Sequence, residues 1–175
     1  FSPDAEFPVV NAEKGILRVR MDREFAQAPE GSRLVRMMAG ERLNTVPDSA
    51  LAVLSGISEE QVSACIGMQE GLQVERAEGQ LAVRAIGKAA HAMEPWKGKN
   101  ALLELLSVLQ GIPYGPAQAK ETMDRLAVLL GKEHDGRSLG IAVSDEVSGA
   151  LSCNPAYLRF EENSLSLRFD IRYPV

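Results

Sequence analysis

From residue 165 to 172 apolar and polar side chains alternate without a break: Leu165, Leu167, Phe169 and Ile171 against Ser166, Arg168, Asp170 and Arg172. A period of two marks a β-strand with one face on a core and the other on a polar surface, and it puts Arg172 on the polar face. Residues 16–21 repeat the pattern, with Leu17, Val19 and Met21 set against Arg18 and Arg20. Residues 33–38 and 50–54 are further short apolar runs of strand length, and 72–75 and 81–85 predict a hairpin turning at Glu78-Gly79. The stretch between the second and third runs, 39–48, carries loop chemistry.

Helix signals lie among these strands. Ser58 and Gln61 have capping-box spacing, and Ile57 is placed to staple onto Val62. The buried stripe is then Val62, Cys65, Ile66 and Met68, with Gly71 as the stop. Asn100 caps a second helix that turns Leu102, Leu105, Leu106 and Leu109 inward and closes at Gly111. Pro116, as a first helical residue, opens a third that buries Ala119, Met123, Leu126, Ala127 and Leu130 before Gly131. Strands and helices mixed without a βαβα rhythm define an α+β fold with antiparallel sheets. The order predicts two sheet-and-helix lobes joined near Gly79.

Charge and composition exclude several functions. The 175 residues hold 19 Lys and Arg against 24 Asp and Glu, a net charge of −5. That balance argues against nucleic acid as a partner, since phosphate contacts need cations. No apolar run approaches the roughly 20 residues that cross a bilayer, so no membrane partner is expected. Cys65 and Cys153 are far apart and form no metal-binding spacing, which favours a reduced, cytoplasmic setting. The start at Phe1 rather than Met is read as the edge of a piece of something longer.

Phosphate loops, dinucleotide fingerprints, HExxH and GxSxG are all absent. Only His91 and His134 supply imidazoles, and nothing groups three or four metal ligands as a complete zinc site requires. Longer strings carry more. Phe1-Ser2-Pro3-Asp4-Ala5-Glu6-Phe7-Pro8 and Gly40-Glu41-Arg42-Leu43-Asn44-Thr45-Val46-Pro47-Asp48 come first. Gly87-Lys88-Ala89-Ala90-His91-Ala92-Met93-Glu94-Pro95, then Gly98-Lys99-Asn100-Ala101, then Arg172-Tyr173-Pro174 follow in order. Together they resemble the co-catalytic zinc metallopeptidase family of PepV-type dipeptidases, carnosinases, acetylornithine deacetylase and succinyl-diaminopimelate desuccinylase, and PepV-type dipeptidases most.

The resemblance implies a lid domain of two ferredoxin-like lobes, with helices on one face, inserted into a catalytic domain that binds two zinc ions. Residues 1–13 would be a strand and linker from that catalytic domain, 14–79 the first lobe and 80–175 the second, incomplete at its C-terminal end. Asp4 resembles a zinc ligand, His91 the lid histidine that stabilises the oxyanion, and Arg172 with Asn44 the pair that holds a dipeptide's free carboxylate. Gly149 would let backbone approach the substrate. Each residue also has a plainer reading: a solvated turn carboxylate after Pro3, a structural histidine, a solvated strand arginine paired with Asp170, a turn asparagine and a loop glycine. Trp96 is read as a surface or hinge aromatic and His134 as a loop histidine. The expected function is the lid of a zinc-dependent dipeptidase acting on unblocked dipeptides, its own catalytic domain being the partner. The piece alone is expected to be inactive and to hold no zinc tightly. The alternatives are an N-acyl-amino-acid deacylase of the same family and a non-catalytic dimerisation module.

Overall fold

A computed structural model describes residues 12–26, 31–67, 69–161 and 163–175. Its strands are β1 (Gly15–Glu24), β2 (Arg33–Ala39), β3 (Ser49–Ser55), β4 (Leu72–Ala77), β5 (Gln80–Ile86), β6 (Ser144–Asp145), β7 (Gly149–Ala150), β8 (Ser152–Glu161) and β9 (Ser164–Tyr173). Its helices are α1 (Glu59–Ile66), α2 (Ala101–Leu109) and α3 (Ala117–Leu130). Seven strands make one sheet in the order β1-β9-β8-β2-β3-β5-β4, every neighbouring pair antiparallel, while β6 and β7 form a separate hairpin. The fold is α+β with a mainly antiparallel sheet. The division expected at Gly79 falls in the β4–β5 turn, and strands from both sides of it lie in the one sheet.

The alternating segment occupies β9, which pairs along its whole length with β1, from Gly15 opposite Tyr173 to Glu24 opposite Ser164. Its apolar residues join Met37, Ala52, Val83, Leu158 and Phe160 in a core closed by α2, which is buried over nearly all of its nine residues. α2 packs on β3, β5 and β8, and α3 packs on α2. In β8 the pairing register shifts between Pro155 and Tyr157. Proline lacks the N–H that a central strand needs, so a bulge is where a sheet tolerates it. The bulge also reverses side-chain parity. Ser152 and Asn154 before it share the polar face with Tyr157 and Arg159 after it, as their partners Arg172, Asp170, Arg168 and Ser166 show.

The capping box forms: Gln61 N–H donates to the Ser58 hydroxyl at 3.2 Å, and Ser58 N–H to the Gln61 side chain at 3.1 Å. The helix stops sooner than its apolar spacing predicts. Gly67, at φ 57°, takes the C-terminal position expected of Gly71, and Met68 lies outside the described residues. Pro116 has extended backbone and precedes the third helix, which starts at Ala117. Cys65 is only half-buried, its thiol donating to the Gly111 carbonyl at 3.1 Å.

Antiparallel pairing brings the end of β2, the starts of β3 and β8 and the end of β9 to one end of the sheet. The loops 40–48 and 87–100 gather there with the β6–β7 hairpin.

Candidate functional site

Two loops far apart in sequence pair to form a strap. Val46 N–H donates to Ala90 O at 2.9 Å, Ala92 N–H to Asn44 O at 2.9 Å, and Gly87 N–H to Asp48 O at 2.8 Å. Thr45 and His91 face each other in a bridge of β type, and Lys88 and Lys99 close the base of the second loop. Asn44 and His91 thus lie on neighbouring rungs of one short ladder, Thr45 opposite His91 and Asn44 opposite Ala92, and both are exposed.

The His91 ring is held by its own loop. Met93 N–H donates to His91 Nδ1 at 3.1 Å. A neutral imidazole that accepts at Nδ1 carries its proton on Nε2, so the outward nitrogen is a donor. The segment beyond it is a 3₁₀ turn, Pro95–Lys97, with Pro95 buried and Trp96 exposed. The chain here is tied into turns: Glu94 N–H donates to His91 O, and Gly98 N–H to Pro95 O.

Buried polar side chains bind this strap to the sheet. The Ser152 hydroxyl donates to Ala92 O at 3.1 Å, and Asn154 Nδ2 to Thr45 O at 3.1 Å. Asn100 caps α2 through Oδ1, accepting from Leu102 N–H at 3.0 Å, while its Nδ2 donates to Asn154 Oδ1 and Pro155 O at 3.3 and 3.0 Å. Arg159 stacks 4.4 Å from the Tyr157 ring centre and donates to the carbonyls of Ala39 and Gly40, anchoring the start of the 40–48 loop. Beside Asn44 that loop encloses a pocket of roughly 360 Å³ lined by Arg42, Thr45, Asp48 and Ala89 among others.

Arg172 lies opposite Ser152, on the same face. Its side chain is only 12% exposed and grips the fully buried Asp170 at two points, Nε to Oδ1 at 2.5 Å and Nη2 to Oδ2 at 3.2 Å. The pairing with Asp170 is present, but the arginine is not solvated. Gly149, at φ 78° with open space where a Cβ would stand, belongs to the β6–β7 hairpin, next to the Ser148 hydroxyl that accepts from Val175 N–H at the end of the chain. Asn44, His91, Gly149 and Arg172 all lie at the strap end of the sheet.

Asp4 lies outside the described residues. Among the described residues no three His, Cys, Asp or Glu side chains group as metal ligands would, so they do not make up a zinc site by themselves. His134 is on the segment before β6, its carbonyl accepting from Cys153 N–H. The composition of 151–156 gave one signal of the polar scaffold: Ser152 and Asn154 are the polar residues in that otherwise apolar stretch.

The fold is an α+β domain with an exposed histidine and asparagine, and a nearly buried arginine, at one end of its sheet. No family model matches the chain. Along its whole length it is 36% identical to "Putative dipeptidase YtjP" of Bacillus subtilis, and over 99% of its length 28% identical to the Beta-Ala-Xaa dipeptidase of Lactobacillus delbrueckii subsp. lactis. The chain spans 39% and 38% of the lengths of these two relatives. Among the described residues no helix is long and apolar enough to cross a membrane.

Proposed function

We propose that this chain is the lid, and the substrate-binding part, of a cytoplasmic zinc-dependent dipeptidase of the PepV type that hydrolyses unblocked dipeptides. Its two ferredoxin-like lobes would share the one sheet, and the lid would be inserted in a catalytic domain that holds the zinc ions, with Asp4 contributing a ligand. The observation that carries the reading is the hold on His91: Met93 N–H donates to Nδ1, which on this exposed residue leaves Nε2 as the nitrogen that can donate. In this proposal His91 donates that hydrogen to the oxygen that gains charge as the peptide carbonyl is attacked. Arg172 and Asn44 hold the C-terminal carboxylate, and Gly149 leaves room for backbone to approach. A carboxylate anchor at a set distance from the oxyanion donor measures substrate length, which favours dipeptides over longer chains. The similarity to two relatives bearing dipeptidase names supports the substrate class.

The test is hydrolysis by the intact protein, loaded with zinc, of a dipeptide, its C-terminal amide, its N-acetyl form and the corresponding tripeptide. The free dipeptide is expected to be the best substrate by at least tenfold in kcat/KM. Preference for the N-acyl compound would favour the deacylase, and absence of any hydrolysis would leave a dimerisation module.

A further inference from the structure

We infer that Asp170 is a positioning residue that presets Arg172 as a receptor for the substrate carboxylate; the inference rests on the dipeptidase reading above. Asp170 is fully buried on the polar face of β9, and its two oxygens are met by Nε and Nη2 of Arg172. A guanidinium has five N–H groups on a planar fork, and this side-on grip uses two of them. One hydrogen of Nη1 and the second of Nη2 remain on the far edge of the fork, which a second carboxylate can meet at two points. Gripped this way, the guanidinium plane cannot rotate about its stem.

Charge agrees with geometry. Arg18, directly opposite Asp170 on β1, brings its Nε to 3.8 Å from Asp170 Oδ2. Two guanidinium groups therefore face this one carboxylate. The neighbours across the strand matter too. Asp170 is opposite Asn154 and Arg172 opposite Ser152, the two residues that tie down the Asn44–His91 strap. Carboxylate receptor and oxyanion donor are thus fixed to the same pair of strands. Asp170 sets the angle of one end of the ruler.

The experiment compares the intact zinc-loaded enzyme with Asp170→Asn and Arg172→Lys, measuring kcat and KM for a dipeptide and its C-terminal amide, with melting temperature on the same preparations. A carboxylate held equally in ground and transition states contributes to KM, so Asp170→Asn should raise KM for the free acid about tenfold with kcat within about twofold. KM for the amide should hardly move, so the preference for acid over amide should fall about tenfold. Arg172→Lys keeps the charge and the Asp170 partner but lacks the second fork, and should lose the same preference; it decides the matter if Asp170→Asn does not fold. In an Arg172→Ala background Asp170→Asn should cause no further loss of preference. A merely structural Asp170 would lower the melting temperature and the active fraction while leaving the acid-to-amide ratio unchanged, and that result, or an unchanged ratio in Arg172→Lys, overturns the inference. If the wild-type enzyme hydrolyses no dipeptide, the functional reading falls and this inference with it; if it prefers free acids and the variants keep that preference, only the inference falls.

Discussion

Asn100→Ala should destabilise the protein by about 3 kcal/mol, more than its small loss of volume implies. Asn100 is 7% exposed, and one amide serves three partners. Its Oδ1 accepts the Leu102 N–H at the start of the most apolar helix, and deletion of such a cap costs about 1 kcal/mol. Its Nδ2 meets Asn154 Oδ1 and Pro155 O, two acceptors left buried without that donor. Each stranded polar group costs about 1–3 kcal/mol, and about 1 kcal/mol for each of these two neutral acceptors is added to the cap. For a chain of this size about 3 kcal/mol corresponds to a fall of roughly 6–12 °C in Tm. Thermal and urea unfolding of the variant beside wild type measure it. Asn100→Ser should recover about 1 kcal/mol, since a serine hydroxyl can cap but cannot reach across to β8. If Asn100→Ala costs less than about 1 kcal/mol, the cap is the whole effect and the bonds to Asn154 and Pro155 contribute nothing net.

Other perturbations separate the site from the scaffold. His91→Ala in the intact enzyme should lower kcat by roughly 10²–10³-fold with little change in KM, zinc content or Tm, as removal of one oxyanion donor does; loss of Tm with kcat preserved would make the histidine structural. Arg172→Ala should bring the rates on dipeptides and their C-terminal amides together, a loss of about 1.5–3 kcal/mol in kcat/KM for the free acid. Gly40→Ala should destabilise by at least about 2 kcal/mol, because its φ is 67° and the new Cβ would stand 1.9 Å from the Ala156 carbonyl oxygen; unfolding measurements check it. Burial pushes the Cys153 thiol from 9.0 up to about 11, so alkylation at pH 8 should modify Cys65 first and Cys153 only on unfolding. With the folded pKa raised, the stability linked to Cys153 is full below about 9 and is lost as pH rises through about 11; Cys153→Ala should flatten that alkaline fall.

Local signals made much of this fold readable. Alternation found β9 because a half-covered strand must separate its faces; it found β1 as a strand too, but the core face expected there is missing, since Leu17 and Val19 stay exposed. The caps at Ser58 and Asn100 were legible because each needs only a few adjacent residues. Ends were less so. A glycine four residues past the capping one looks as good a stop as the one that ends the helix, so Gly71 is expected where Gly67 acts. Pairing was not legible at all. Nothing in residues 15–24 announces that they lie beside residues 164–173, since any alternating strand would match the pattern of another.

The candidate site shows the same limit in a sharper form. His91 and Asn44 could be named from their strings, but the pairing of their loops depends on a backbone ladder between residues about 40 or more apart, and backbone ladders carry no side-chain code. Arg172 was placed on a polar face, which is where it lies, yet a polar face need not be a wet one. The bulge at Pro155 turns Ser152 and Asn154 onto that face, and the strap they hold covers it. Parity counted along an unbroken strand would have put Ser152, Asn154, Ala156 and Leu158 on one side, and no sequence period records where the count resets. The bulge therefore has two effects: it excuses the missing N–H of a proline, and it builds the polar floor under Asn44 and His91. Burying Ser152, Asn154, Asp170 and Asn100 is costlier than burying apolar residues of similar size unless every partner is present, and that requirement lets a polar floor fix one geometry where an apolar one would tolerate several.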